Sequence, residues 1–180
     1  MLYAFGFERV GVVLGDLYFL DDTAPDDQRG AERGVRLEVR LFERPPLHGS
    51  RYSAQPIELT RPIWRVDLLE SVDGPHGTFD RTHHHPEIRG WEVGSRCFVP
   101  ELSADPITWV GEKLSDLDRL LVGSEVSADE VAPTDAADLR AAVPEIRATI
   151  ERMLARIREG ELATAPAAPD DPRNARNGWL

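Results

Sequence analysis

The chain has 180 residues, of which 41% are hydrophobic and 29% charged, with 32 acidic and 21 basic side chains for a net charge of −11. That length suits one domain with a core that needs no staples, and so acidic a field disfavours nucleic acid as a partner. A single cysteine, Cys97, excludes an internal disulfide and a multi-cysteine zinc site. No apolar run approaches the length of a membrane span and no secretory signal opens the chain, so the sequence predicts a soluble cytoplasmic protein.

The acidity sits at the two ends. Residues 1–28 carry 1 basic and 6 acidic side chains and residues 97–180 carry 9 and 16, whereas residues 29–96 are balanced at 11 and 10. The first hundred residues read as β. ERVGVVLGDLYFLDD forms one bent strand or a tight pair around Gly15-Asp16, and DTAPDDQRGAERG at 22–34 is a polar loop. Val35, Leu37, Val39 and Leu41 then alternate with Arg36, Glu38 and Arg40, the period of a strand with one dry and one wet face. After a long connection at 44–56, Trp64, Val66 and Leu68 alternate with Arg65 and Asp67. Trp64, Trp91 and Trp109 are expected as core or half-buried anchors, and Cys97 as a small buried hydrophobe.

The C-terminal part changes to a helical period. Ser103 or Asp105 caps, Pro106 fits the first turn, Gly123 fits the end, and Ile107, Val110, Leu114, Leu117 and Leu121 form one apolar stripe between them. Leu139, Val143, Ile146, Ile150, Met153 and Ile157 form a second stripe, in which Pro144 predicts a break between a short helix at 135–142 and a main helix at 144–159. This stripe either packs on its own domain or makes a homodimer seam or partner surface over residues 139–157. Residues 161–180 read as a disordered tail. The predicted fold is α+β: a single domain over 1–160, with an antiparallel sheet of about four to six strands and C-terminal helices packed on it.

The segment TFDRTHHH follows LLESV through DGPHG, which has two glycines and a proline. A five-residue turn over 73–77 places Asp67 opposite His83 and Arg65 opposite His85. Arg65, Asp67, Arg81, His83 and His85 then share the solvent face, and His84 joins Val66, Leu68 and Thr82 on the other. A turn one residue shorter reverses the faces. Two imidazoles at i and i+2 facing a carboxylate can supply three ligands to a divalent Zn, Fe, Mn or Ni ion, with positions left for water or a small molecule, as in a hydrolase or oxygenase. Asp67, His83 and His85 are therefore the candidate metal or polar site, and Arg65 and Arg81 the candidate anion-binding residues. The same residues also fit acid–base use without a metal, or an ordinary surface network of Asp, His and Arg.

The run VRLEVRLFERPPLHGSRY, then IWRVDLLESVDG, then FDRTHHHP and the helix SADPITWVGEKLSDLDRLL resembles in layout the TumE-type toxin–antitoxin proteins, small α+β chains. In that family a strand with an Arg-aromatic-Asp run leads to closely spaced histidines and a helix. Phe79-Asp80 and His83, His84 and His85 are the matching positions, over roughly residues 35–121. The resemblance implies a growth-inhibiting component paired with an antitoxin. Three functional classes thus stand open: a metal-dependent or small-molecule-binding protein, a toxin component, and a non-catalytic interaction module.

Overall fold

The structure, a computed structural model, describes residues 1–20 and 29–165. It is α+β. Five antiparallel strands, β1 (Leu2–Gly6), β2 (Val10–Leu20), β3 (Ala31–Glu43), β4 (Glu58–Ser71) and β5 (His83–His85), lie side by side in chain order. A two-stranded ribbon, β6 (Ile88–Arg89) with β7 (Glu92–Val93), follows, and then four helices, α1 (Pro100–Ala104), α2 (Pro106–Leu114), α3 (Leu117–Val122) and α4 (Asp135–Arg158).

The alternation in the sequence becomes two sheet faces. On one, Val12, Val39 and Trp64 stand in register, as do Leu14, Leu37 and Val66 in the next row. All six are 0–2% exposed beneath the helices. Leu139, Ile146, Ile150, Met153 and Ile157 of α4 close this core at 0–2% exposure, with Val143 at 8%. The stripe proposed as a dimer seam is thus consumed inside the chain.

Three expectations change. α4 runs unbroken through Pro144, whose missing N–H leaves the Arg140 carbonyl without its helical partner. Both residues are exposed, so water can take that carbonyl while the buried stripe holds the helix together. Conversely, the single helix expected between Ser103 or Asp105 and Gly123 is two, α2 and α3, with the short α1 ahead of them. Asp105 accepts from the Thr108 N–H (3.2 Å) and Asp116 from the Arg119 N–H (3.2 Å), so each starts a new helix instead of continuing the last. The packed chain also runs past 160: Ala163 is buried and donates its N–H to Asp16 (2.8 Å). Residues 166–180 of the expected tail, and 21–28 of the first loop, lie outside the described residues.

Candidate functional site

β4 and β5 pair as Arg65 with His85, Val66 with His84 and Asp67 with His83, the register of the five-residue turn. The hairpin itself is less regular than expected. Regular pairing ends beyond Asp67: the Arg81 N–H still reaches the Leu69 carbonyl (3.2 Å), while Thr82 Oγ1 accepts from the Leu69 N–H and donates to the same carbonyl (2.9 Å each). Phe79 takes a φ of 48°, so only His83–His85 of the predicted second strand is extended.

Register then carries the polar residues across three strands. Arg36, Asp67 and His83 form one cross-strand row, and Glu38, Arg65 and His85 the next. Their face is not solvated. Asp67 is 0%, His83 1% and His85 5% exposed. The segment after β5 folds back over them: Gly94 reaches His85, the Phe98 ring lies 5.4 Å from that of His83, and Arg96 binds Glu32 at 3.0 Å. This cover is fastened at Gly123, whose carbonyl accepts from the Ile88 N–H (2.9 Å). Gly123 also ends α3, as its sequence position suggests, and a side chain there would come within 1.8 Å of the Pro86 carbonyl oxygen, so the glycine serves close approach as well.

The tautomers follow from the partners. His83 Nδ1 lies 2.8 Å from the Arg81 carbonyl and His85 Nδ1 lies 2.6 Å from the Gly94 carbonyl. A carbonyl only accepts, so each Nδ1 carries the proton and, in the neutral ring, each Nε2 presents a lone pair. Both lone pairs aim at one atom: Asp67 Oδ2 is 3.4 Å from His83 Nε2 and 3.6 Å from His85 Nε2. Among the described residues, His85 Nε2 is a buried nitrogen with no hydrogen-bond partner. Charge-assisted hydrogen bonds of this type are about 2.7–2.9 Å long, and these separations exceed that. A tetrahedral ion with bonds of about 2.1 Å sets its ligand atoms about 3.4 Å apart. The three ligand atoms lie within 4.8 Å of one another.

Two guanidiniums hold the carboxylate from the other side. Arg36 Nε donates to Oδ1 (2.7 Å), and Arg65 donates to Oδ2 through Nε (2.9 Å) and Nη2 (2.6 Å). Burial alone would raise the Asp67 carboxyl. Hydrogen bonds from the His83 and His85 imidazoles, made when those rings carry a second proton, and the Arg36 and Arg65 guanidiniums outweigh it, holding the group well below the ordinary carboxylate range. His84 behaves differently on the opposite face. It sits against Trp109 (ring centroids 5.0 Å apart) and accepts from Trp64 Nε1 (3.4 Å). Burial, aided by the Lys113 charge, pushes it down to about 4, so it is a neutral core histidine.

The structure therefore brings together Asp67, His83, His85 and Arg65. It does not bring the Arg81 guanidinium, which turns to Ser71 Oγ (3.2 Å) and the Arg29 carbonyl (3.4 Å); Arg81 contributes its own carbonyl instead. Arg36 takes the place expected of it. Alternation puts Arg36 on the right face, but its partner depends on the β3/β4 register, which a connection as long as 44–57 leaves open. Backbone acceptors such as Gly94 have no side-chain signature at all. Trp91 is 63% exposed, lying over Arg40, rather than a core anchor. Cys97 is half-buried and bridges His84 through its backbone. No helix among the described residues is long and apolar enough to cross a membrane. Comparison with protein-family models, curated proteins and solved structures finds no match to this chain.

Proposed function

We propose that this protein binds one divalent transition-metal ion, of the zinc, iron, manganese or nickel kind, through Asp67, His83 Nε2 and His85 Nε2, and uses the ion's remaining positions on a small molecule. One observation carries the reading. With both Nδ1–H groups committed to backbone carbonyls, the neutral rings turn two imidazole lone pairs and a carboxylate oxygen together with no hydrogen between them. Such a convergence is stable only around a cation. Carbonyl acceptors on the far ring nitrogens are the usual means by which ligating histidines are oriented. Access for a small molecule requires the segment carrying Gly94 and Phe98 to lift from the sheet.

The test is elemental analysis of untagged protein equilibrated with zinc and freed of loose ions. One ion per chain is expected, absent from the His83→Ala/His85→Ala variant. Metal-free wild-type protein, or a double variant that keeps its ion, overturns the reading.

A second reading has one observation in its favour: Asp67 Oδ2 already accepts two N–H groups from Arg65. In it, protons on the imidazoles replace the ion, and the Arg and His side chains form a cationic site for a phosphate or carboxylate group. Metal-free protein that binds inorganic phosphate, and loses it in the same double variant, would select this alternative.

A further inference from the structure

The oxygen that faces both imidazoles is also the oxygen that Arg65 occupies, and the two uses compete. Oδ2 accepts from Arg65 Nε at 2.9 Å and Nη2 at 2.6 Å. A carboxylate oxygen has about two lone-pair sites, so an oxygen taking two N–H bonds has none for an ion. Arg36 does not enter this competition, because its Nε bonds Oδ1 at 2.7 Å. The two arginines thus differ in role although both pair with the same carboxylate.

A second anion stands next to Arg65. Glu38 is its direct cross-strand partner on the same face and is 5% exposed. Through Oε2 it binds Arg40 Nε at 2.6 Å. Arg40 is additionally held by the Thr60 carbonyl (3.0 Å) and by the Trp91 ring (5.6 Å from guanidinium carbon to centroid), so its position does not depend on Glu38 alone. Glu38 can therefore accept a second guanidinium without releasing the first.

We infer that Arg65 is an internal cation that guards the metal site: it holds Asp67 Oδ2 until an ion arrives, then passes to Glu38, and this exchange sets the affinity and selectivity of the site. The inference rests on the metal-binding reading above. No bond is broken and no proton moves in the exchange. The arginine stays charged, and the buried carboxylate trades one cation for another. A weakly held or monovalent ion does not displace the guanidinium, whereas an ion that prefers imidazole does, because it also gains the two Nε2 lone pairs. Arg65 is a positioning residue here and touches no substrate.

The experiment is a competition titration of zinc against a chromophoric chelator, using full-length wild type, Arg65→Met, Arg36→Met and Glu38→Gln. Arg65→Met is expected to bind zinc about ten- to a hundredfold more tightly than wild type, the weight of a hydrogen bond to a charged group. Arg36→Met should fall short of that gain, and Glu38→Gln should bind more weakly than wild type. A tighter site is the informative direction, since structural damage only weakens binding. Should Arg65→Met not fold, the wild type supplies the second arm: zinc addition should shift the Arg65 Nε–H resonance and leave that of Arg36 in place. Equal affinities in wild type and Arg65→Met, or an unmoved Arg65 signal in zinc-loaded protein, refute the exchange while leaving the metal site standing. Absence of zinc binding in every variant refutes the metal site itself.

Discussion

On one face of the sheet Val12, Val39 and Trp64 stand in a row beneath the helices; on the other, Val13, Glu38, Arg65 and His85 stand in a row beneath the segment that carries Gly94 and Phe98. The first row is closed by apolar contact, together with the bond from the Trp64 indole N–H to His84, and at Val12 and Val39 any shape-compatible hydrophobe would serve. The second is closed only if each charge and ring nitrogen finds a partner. Arg36, Arg65, Asp67 and the two carbonyls supply such partners, and among the described residues His85 Nε2 is left without one. Equal exclusion of water thus has different causes on the two faces. A buried polar row is weak evidence for stability.

Single truncations separate the faces. Asp67→Ala should have the largest effect: it strands two guanidiniums on a closed face and should cost about 3–5 kcal/mol in urea unfolding. Ile146→Ala on the helix side leaves a cavity and should cost somewhat less, about 3 kcal/mol, with the metal site intact. If Asp67→Ala costs less than a surface substitution, the polar row is solvated in solution and the contrast fails.

Acid sharpens the comparison because the faces respond in different windows. The folded protein holds His84 at about 4 whereas the unfolded chain titrates near 6.5, so the unfolded state binds the extra proton first. Stability due to neutral His84 is therefore full above about pH 6.5 and is lost as the pH falls toward 4. Asp67 is depressed instead as an acid, so its contribution persists through that range and fades only below the ordinary carboxylate range. His84→Leu should flatten the stability profile of metal-free protein between pH 6.5 and 4. A profile unchanged by that substitution would place His84 in water. The smallest effect is expected of Arg81→Ala, which removes a guanidinium but keeps the carbonyl that orients His83. Its zinc stoichiometry should match wild type, and a loss would return Arg81 to the site.

How much of this was readable in the residues follows the range of each signal. Val35 to Leu41 and the stripe from Leu139 to Ile157 are periodic over enough residues to reveal strand and helix directly. The pairing of Asp67 with His83 needed only a turn length. Pro144 misleads because local chemistry argues for a break that tertiary burial of Val143 and Ile146 overrides. Asp105 caps where its sequence position suggests, but Asp116 misleads in the opposite sense, since its capping bond divides a stripe that looks continuous. Arg36 and the cover from Gly94 to Phe98 depend on contacts between distant segments, for which no short pattern exists. What alternation could not reveal was that the wet face would itself be closed, turning a surface row into a buried one.

The most direct measurement is X-ray absorption at the metal edge of zinc-loaded protein. Two imidazole nitrogens and at least one oxygen at about 2.0–2.2 Å are expected in the shell, falling to no ordered imidazole in His83→Ala/His85→Ala. A shell containing sulfur, or one without imidazole in the wild type, would contradict a metal centre built on Asp67, His83 and His85.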